Sequence, residues 1–180
     1  MRKALFLLLA IAALASSCGG VARMPANEQL TGAFAYVVGK YGVGFQDITF
    51  SRNGDQDDAN QIRLTSNSDY PVYKVSPGRY IATKFTDGAG SFTGRLGEFT
   101  AEAGKITYIG DIELRYGYDL PAASAPRSGR QGPVTMLRGR AAITATDNTE
   151  QAKAAIRKHY PGLAGNLDAI FVYSPVMPVR

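Results

Sequence analysis

Residues 105–115, Lys-Ile-Thr-Tyr-Ile-Gly-Asp-Ile-Glu-Leu-Arg, alternate with period two, the period of a β-strand. Ile106, Tyr108, Ile112 and Leu114 fall on one face with Gly110; Lys105, Thr107, Asp111 and Glu113 fall on the other, with Ile109 as its single apolar member. A strand with one apolar and one polar face belongs in an antiparallel sheet that is wet on one side, because strands of a buried parallel sheet are apolar throughout. The rest of the chain is consistent with a β-rich fold. It holds 20 Gly in 180 residues, against a usual share of about 7%, and its aromatic residues are ten Tyr and eight Phe with no Trp. Such a composition favours short strands and many turns over a helical bundle.

Further strands are expected along the chain. Phe34, Tyr36 and Val38 alternate with Ala33, Ala35 and Val37, and the Gly-rich stretch 39–44 leads to a second apolar run ending at Phe50, so 31–50 is expected as a hairpin-like pair. An acidic turn, 53–60, precedes Ile62 and Leu64, which alternate with Arg63 and Thr65; Tyr73 and Val75 precede the turn dipeptide Pro77-Gly78, and 79–85 forms the next strand. Gly88, Gly90 and Gly94 mark a loop or tight hairpin, and 96–101 extends to a turn at Gly104. Residues 116–133, with Pro121, Pro126, Gly129 and Gly132, are expected as a long surface loop that is either mobile or functional, before strand-like sequence over 134–146.

One helix is expected, at about 148–160. Asp147 and Glu150 have the spacing of an N-terminal capping pair, while Ala152, Ala155, Ile156, His159 and Tyr160 share a face. Pro161-Gly162 ends it, and 169–173 supplies a final short strand. The fold class expected is therefore mainly β, an antiparallel β-sandwich carrying this helix.

The N-terminus reads as an address. Arg2 and Lys3 precede an uninterrupted apolar run over 4–15, too short for a membrane-spanning helix, which needs about 20 residues. Then comes Leu14-Ala15-Ser16-Ser17-Cys18, followed by Gly19-Gly20. This resembles the bacterial lipobox, in which small residues precede a Cys that becomes the acylated first residue of the mature protein. Leu four places and Ala three places before Cys18 depart from its commonest form. Cleavage after Ala15 without lipidation is the alternative. Cys18 is the only Cys, which suits a thiol consumed by lipid. The organisation expected is a signal peptide over 1–17, the attachment Cys and a tether over 18–30, and one domain over 31–180. The resemblance implies a lipid bilayer as partner through acylated Cys18. Gly19, where Asp would mark inner-membrane retention, implies the outer membrane. Losing Arg2 and Lys3 with the leader lowers the formal net charge from +5 to +3.

The segment Val75-Ser76-Pro77-Gly78-Arg79-Tyr80, then Phe99, then Ala103-Gly104-Lys105-Ile106-Thr107-Tyr108-Ile109-Gly110, resembles bacterial lipoproteins of unknown function with a transthyretin-like, or carboxypeptidase-regulatory-like, sandwich. The resemblance covers residues 31–115, and the helix followed by Tyr160-Pro161-Gly162-Leu163 also looks like the end of such proteins. It implies a fold but no active site.

The residues themselves offer few chemical constellations. His159 is the only His, so any Ser-His-Asp or Cys-His site would require it; its place on a helix, away from a nucleophile turn, argues for a structural or surface role. Glu98 with Glu102 and Asp111 with Glu113 are the candidate carboxylate pairs for glycoside or peptidoglycan hydrolysis, the alternative to a non-catalytic module. Asn53, Asp55, Asp57 and Asp58 begin like a calcium loop, but the sixth position is not Gly and Leu64 stands where a bidentate Glu is needed, so no metal is expected. Arg127, Arg130, Arg138 and Arg140 form a loose basic set suited to anionic lipid or an acidic partner. The expectation is a non-enzymatic structural or binding module of the cell envelope, without cofactor or nucleic acid, with an envelope protein or glycan as possible partner.

Overall fold

The computed structural model describes residues 21–42, 46–55, 61–65, 69–87, 90–118 and 139–179. The leader and Cys18, residues 56–60 of the acidic turn, 119–133 of the Pro- and Gly-rich stretch and 134–138 of the strand-like sequence after it lie outside the described residues, while 116–118, expected as loop, are strand. The chain is mainly β. Its elements are β1 (Ala35–Tyr41), β2 (Asp47–Arg52), β3 (Gln61–Thr65), β4 (Val72–Val75), β5 (Gly78–Asp87), β6 (Gly90–Thr93), β7 (Gly97–Ala101), β8 (Ile106–Tyr118) and β9 (Gly139–Thr146), followed by the helix α1 (Thr149–His159). A 3-10 turn (Pro161–Asn166), the short helix α2 (Leu167–Ile170), β10 (Phe171–Tyr173) and β11 (Met177–Pro178) complete it.

Two sheets form. In the first, β4, β1 and β8 lie side by side, and the far edge of β8 is shared by β10 along 106–108 and β9 along 111–118. The second runs β3-β2-β5-β7-β11, with β6 also on β5, and all its pairs are antiparallel. A single cluster joins the sheets face to face, with Val37, Ile109 and Ile112 from the first meeting Ile48, Phe50, Ile62, Leu64 and Phe99 from the second. The motif residues sit where their chemistry requires. Gly78 and Gly104 have φ of +148° and +70°, and Tyr80 stacks on its cross-strand neighbour Phe99 at 5.5 Å while its hydroxyl donates to the carbonyl of Ser76.

The antiparallel expectation holds for the second sheet only; in the first, β8 runs parallel to both β1 and β10. The cause is burial on both faces. A second cluster lies on the outer side of the first sheet, where Tyr36, Val38, Ile106 and Tyr108 meet Ala152, Ile156, Tyr160, Leu163 and Leu167 from the helical segment. β1 is accordingly buried at six of its seven positions. Nor are β1 and β2 a hairpin: they lie in different sheets and face the same inter-sheet core from opposite sides.

β8 corrects the reading of residues 105–115 most sharply. Ile106 and Tyr108 face the helical layer, whereas Ile109, Ile112 and Leu114 face the second sheet, and Thr107 is buried. The faces exchange at a bulge, since Val38 and Lys40 of β1 pair with Tyr108 and Asp111 of β8. Gly110 makes the bulge possible. Its φ is +92°, and a Cβ there would stand 2.8 Å from the Cβ of Ala145.

The expected tether is also corrected over its described part, residues 21–30. Val21 donates its N–H to the carbonyl of Gln61 at the start of β3, Arg23 forms an antiparallel bridge with Tyr73 of β4, and Met24 is buried with its N–H on the carbonyl of Val72. The segment thus straps the outer strand of one sheet to the outer strand of the other. A few apolar residues in a polar stretch suffice, because each finds a hydrophobic neighbour and a free backbone partner.

The helix begins one residue later than expected, within the usual uncertainty of helix ends. Asn148 is its N-cap without a side-chain cap, while Asp147 accepts from the backbone N–H and hydroxyl of Thr149; the expected Asp147–Glu150 capping pair does not form. The final strand is shortened to Phe171–Tyr173, since 167–170 form α2 first.

Candidate functional site

The bulge in β8 turns the side chain of Asp111 outward, toward the start of α1. Three donors converge on its carboxylate: the Tyr108 hydroxyl at 2.8 Å, the Tyr70 hydroxyl at 3.1 Å and the Asn148 amide at 2.7 Å. The Tyr108 hydroxyl in turn accepts the backbone N–H of Asn148 at 3.2 Å. One carboxylate thereby fastens a strand, the segment before β4 and the N-terminus of the helix. Around it pack aromatic rings. Tyr108 lies 6.1 Å from Tyr70, 5.8 Å from Phe171 and 5.5 Å from Tyr173 between ring centroids.

This surrounding holds the phenols neutral. Burial first, and the Asp111 carboxylate second, push the Tyr70 hydroxyl up to about 12. Tyr108 shifts in the same direction for the same leading reason, with its bond to Asp111 next and the Asn148 N–H pulling the other way. Both therefore serve as donors at neutral pH.

The ring of Tyr70 also walls a cleft of about 240 Å³, lined by Arg23, Met24, Asp69, Pro71, His159 and Tyr160 among others. Two of its lining tyrosines are hydrogen-bonded: the Tyr160 hydroxyl accepts the backbone N–H of Val72 at 3.1 Å and Tyr70 donates to Asp111. Arg23, Asp69 and His159 are its ionisable lining residues besides these tyrosines.

The remaining expected residues are dispersed. His159 ends α1 and is exposed rather than on the buried face, which consists of Ala152 and Ile156. Glu98 is paired across the sheet with Arg79, and Glu102 is exposed in the following turn, so they do not converge on a cleft. Asp111 and Glu113 do share a face, but Glu113 is exposed while Asp111 is held in its network. A further buried carboxylate, Asp47 on β2, is bonded to Arg63 at 2.6 Å. Asn53 and Asp55 are exposed in the turn after β2, and Asp57 and Asp58 lie outside the described residues, as do Arg127, Arg130, Arg138 and the side chain of Arg140. Among the described residues, no group of three His, Cys, Asp or Glu is placed to hold a metal, and no helix is long and apolar enough to cross a membrane.

The sequence reading named Asp111 but missed Tyr70, Tyr108 and Asn148 as its partners. They stand 41, 3 and 37 residues from it, so only the fold brings them together. Comparison with protein-family models, with curated proteins and with solved structures found no match for this chain.

Proposed function

We propose that this chain is a bacterial envelope lipoprotein, anchored through acylated Cys18 in the outer membrane, whose β-rich domain is a non-catalytic structural or binding module. The observation that carries the reading is the apolar run over 4–15 ending in Leu14-Ala15-Ser16-Ser17-Cys18, with no other Cys in the chain. Two or more acyl chains hold a protein stably on a bilayer, at about 0.8 kcal/mol per buried methylene. The stacked strand groups β4-β1-β8-β9 and β3-β2-β5-β7 support a transthyretin-like sandwich as its domain. The engagement of Asp111 by three donors favours scaffolding over acid–base chemistry.

Metabolic labelling with a radioactive fatty acid tests the anchor. Wild type takes up label and Cys18→Ala does not, accumulating as precursor or as a soluble form cut after Ala15. A wild-type protein without label, with its mature N-terminus at Ser16, removes the proposal.

A further inference from the structure

We infer that the domain is held against its bilayer end-on, by the end of the two sheets that carries the 31–34, 53–54, 76–78 and 102–104 turns. The inference rests on the Cys18 anchor proposed above and adds to it an orientation and a contact surface. Only Gly19 and Gly20 separate Cys18 from Val21, and three residue steps of at most about 3.6 Å reach about 11 Å. Val21 is fixed to the carbonyl of Gln61, the first residue of β3.

Strand directions identify the end in question. Gln61 pairs with Ser51 beside the turn at Asn53-Gly54, and Asn53 bonds to Arg79 next to Gly78. Gly78 pairs with Ala101, which leads into the 102–104 turn, and Gly104 bonds to the carbonyl of Phe34 ahead of β1. The bridge between Arg23 and Tyr73 gives the same direction independently. Because it is antiparallel, the chain traced backward from Met24 to Val21 advances from Val72 toward Val75, hence toward Pro77. The opposite end of β3, at Thr65, lies four strand rises from Gln61, or about 14 Å, beyond the reach of the linker.

The surface at this end fits a headgroup layer. Gly32, Ala33 and Ala103 are small and exposed. Phe34 is 37% exposed, one of two exposed large apolar residues among those described, and the Lys74 ammonium lies 4.4 Å from its ring centre. The same ammonium is paired with Glu28 at 2.5 Å, so what this end offers the headgroup layer is the exposed Phe34 ring among small residues rather than a free cation. The anchored domain therefore presents the other end, with Gln46 and the β5–β6 hairpin, to whatever it meets in the envelope.

The chain has no Trp, so one introduced Trp is a unique reporter. Full-length protein purified with its lipid is placed in phosphatidylethanolamine–phosphatidylglycerol vesicles containing nitroxide-headgroup phosphatidylcholine. Emission from Ala103→Trp is expected to be strongly quenched and that from Gln46→Trp unchanged. Glu102→Trp in the same turn gives a second reporter should the first variant fold poorly. Equal quenching at both ends, quenching at Gln46 alone, or none at either overturns the orientation. Mass spectrometry of the N-terminal peptide separates the two readings: acyl groups absent from Cys18 remove the anchor and the orientation with it, whereas acyl groups present with the wrong quenching pattern remove the orientation alone.

Discussion

The two faces of the first sheet are buried by different means. Toward the second sheet, the contact is made by paired strands whose apolar residues interlock, and two of the tyrosines there bond to backbone carbonyls: Tyr80 donates to Ser76 and Tyr73 to the carbonyl of Arg63 on the facing sheet. Toward α1, the tyrosines are themselves the fastenings. Tyr36 accepts the N–H of Thr31, Tyr160 that of Val72, and Tyr70 and Tyr108 meet at Asp111. A sheet can be covered by another sheet through apolar contact and backbone ladders alone, whereas irregular chain leaves orphan backbone groups for side chains to satisfy. The helical layer therefore adds a set of tyrosine-held polar contacts to its apolar packing, whereas the inter-sheet layer rests chiefly on apolar contact.

Phe50→Ala is the strongest probe of the inter-sheet layer. Deleting this fully buried ring is expected to cost about 3–5 kcal/mol and to lower the denaturant midpoint in one transition that takes both layers together. A helical layer that survived after the sheets had melted would break the comparison.

Asp111→Ala strands three donors at once and is expected to cost about 2–4 kcal/mol. Hydrogen exchange should reveal where: amides of α1 lose protection, while those of β2 and β5 keep theirs. Uniform loss of protection would mean that the network supports the whole molecule.

Alkaline pH sharpens the contrast. Tyr70 ionises near 10 in the unfolded chain and at about 12 in the folded one, so its contribution to stability is complete below pH 10 and lost as pH rises through 12. Tyr73, Tyr80 and Tyr108 shift in the same direction through burial, but only Tyr108 shares the Asp111 carboxylate with Tyr70. Denaturant midpoints measured between pH 9 and 12 should fall more steeply in wild type than in Asp111→Asn, which lacks the charge. Equal slopes would assign the effect to burial alone.

The smallest expected effects form the closest comparison. Tyr80→Phe loses one bond to a backbone carbonyl, for about 1 kcal/mol, whereas Tyr108→Phe leaves both the Asn148 N–H and an Asp111 oxygen without their partner, for about 1–3 kcal/mol. Chemical denaturation of the two variants measures the difference directly.

Local patterns were legible in the sequence. β3 shows its alternation plainly, with Ile62 and Leu64 in and Arg63 and Thr65 out, and the Pro77-Gly78 and Gly104 turns lie where the residues put them. Pairing was not legible, because period two reports burial and says nothing of strand direction, so the parallel partnership of β1 and β8 was hidden. Ile109 was the clue to the bulge: an apolar residue on a supposedly wet face, next to a Gly, marks the point where the faces exchange. Residues 21–24 were illegible for a different reason. Four residues are too few to show a periodicity, and only the neighbouring strands give them meaning.

The strap has a consequence for solubility. β3 and β4 end their sheets, and a strand in that position exposes a row of unpaired amide and carbonyl groups on which another chain can add. Bonds from Val21, Arg23 and Met24 occupy part of both rows with the protein's own N-terminal segment. These residues stand 40 to 50 positions ahead of Gln61, Val72 and Tyr73 in the chain, so both edges are closed by long-range contacts. Removing the segment would open both edges at once to pairing with another chain.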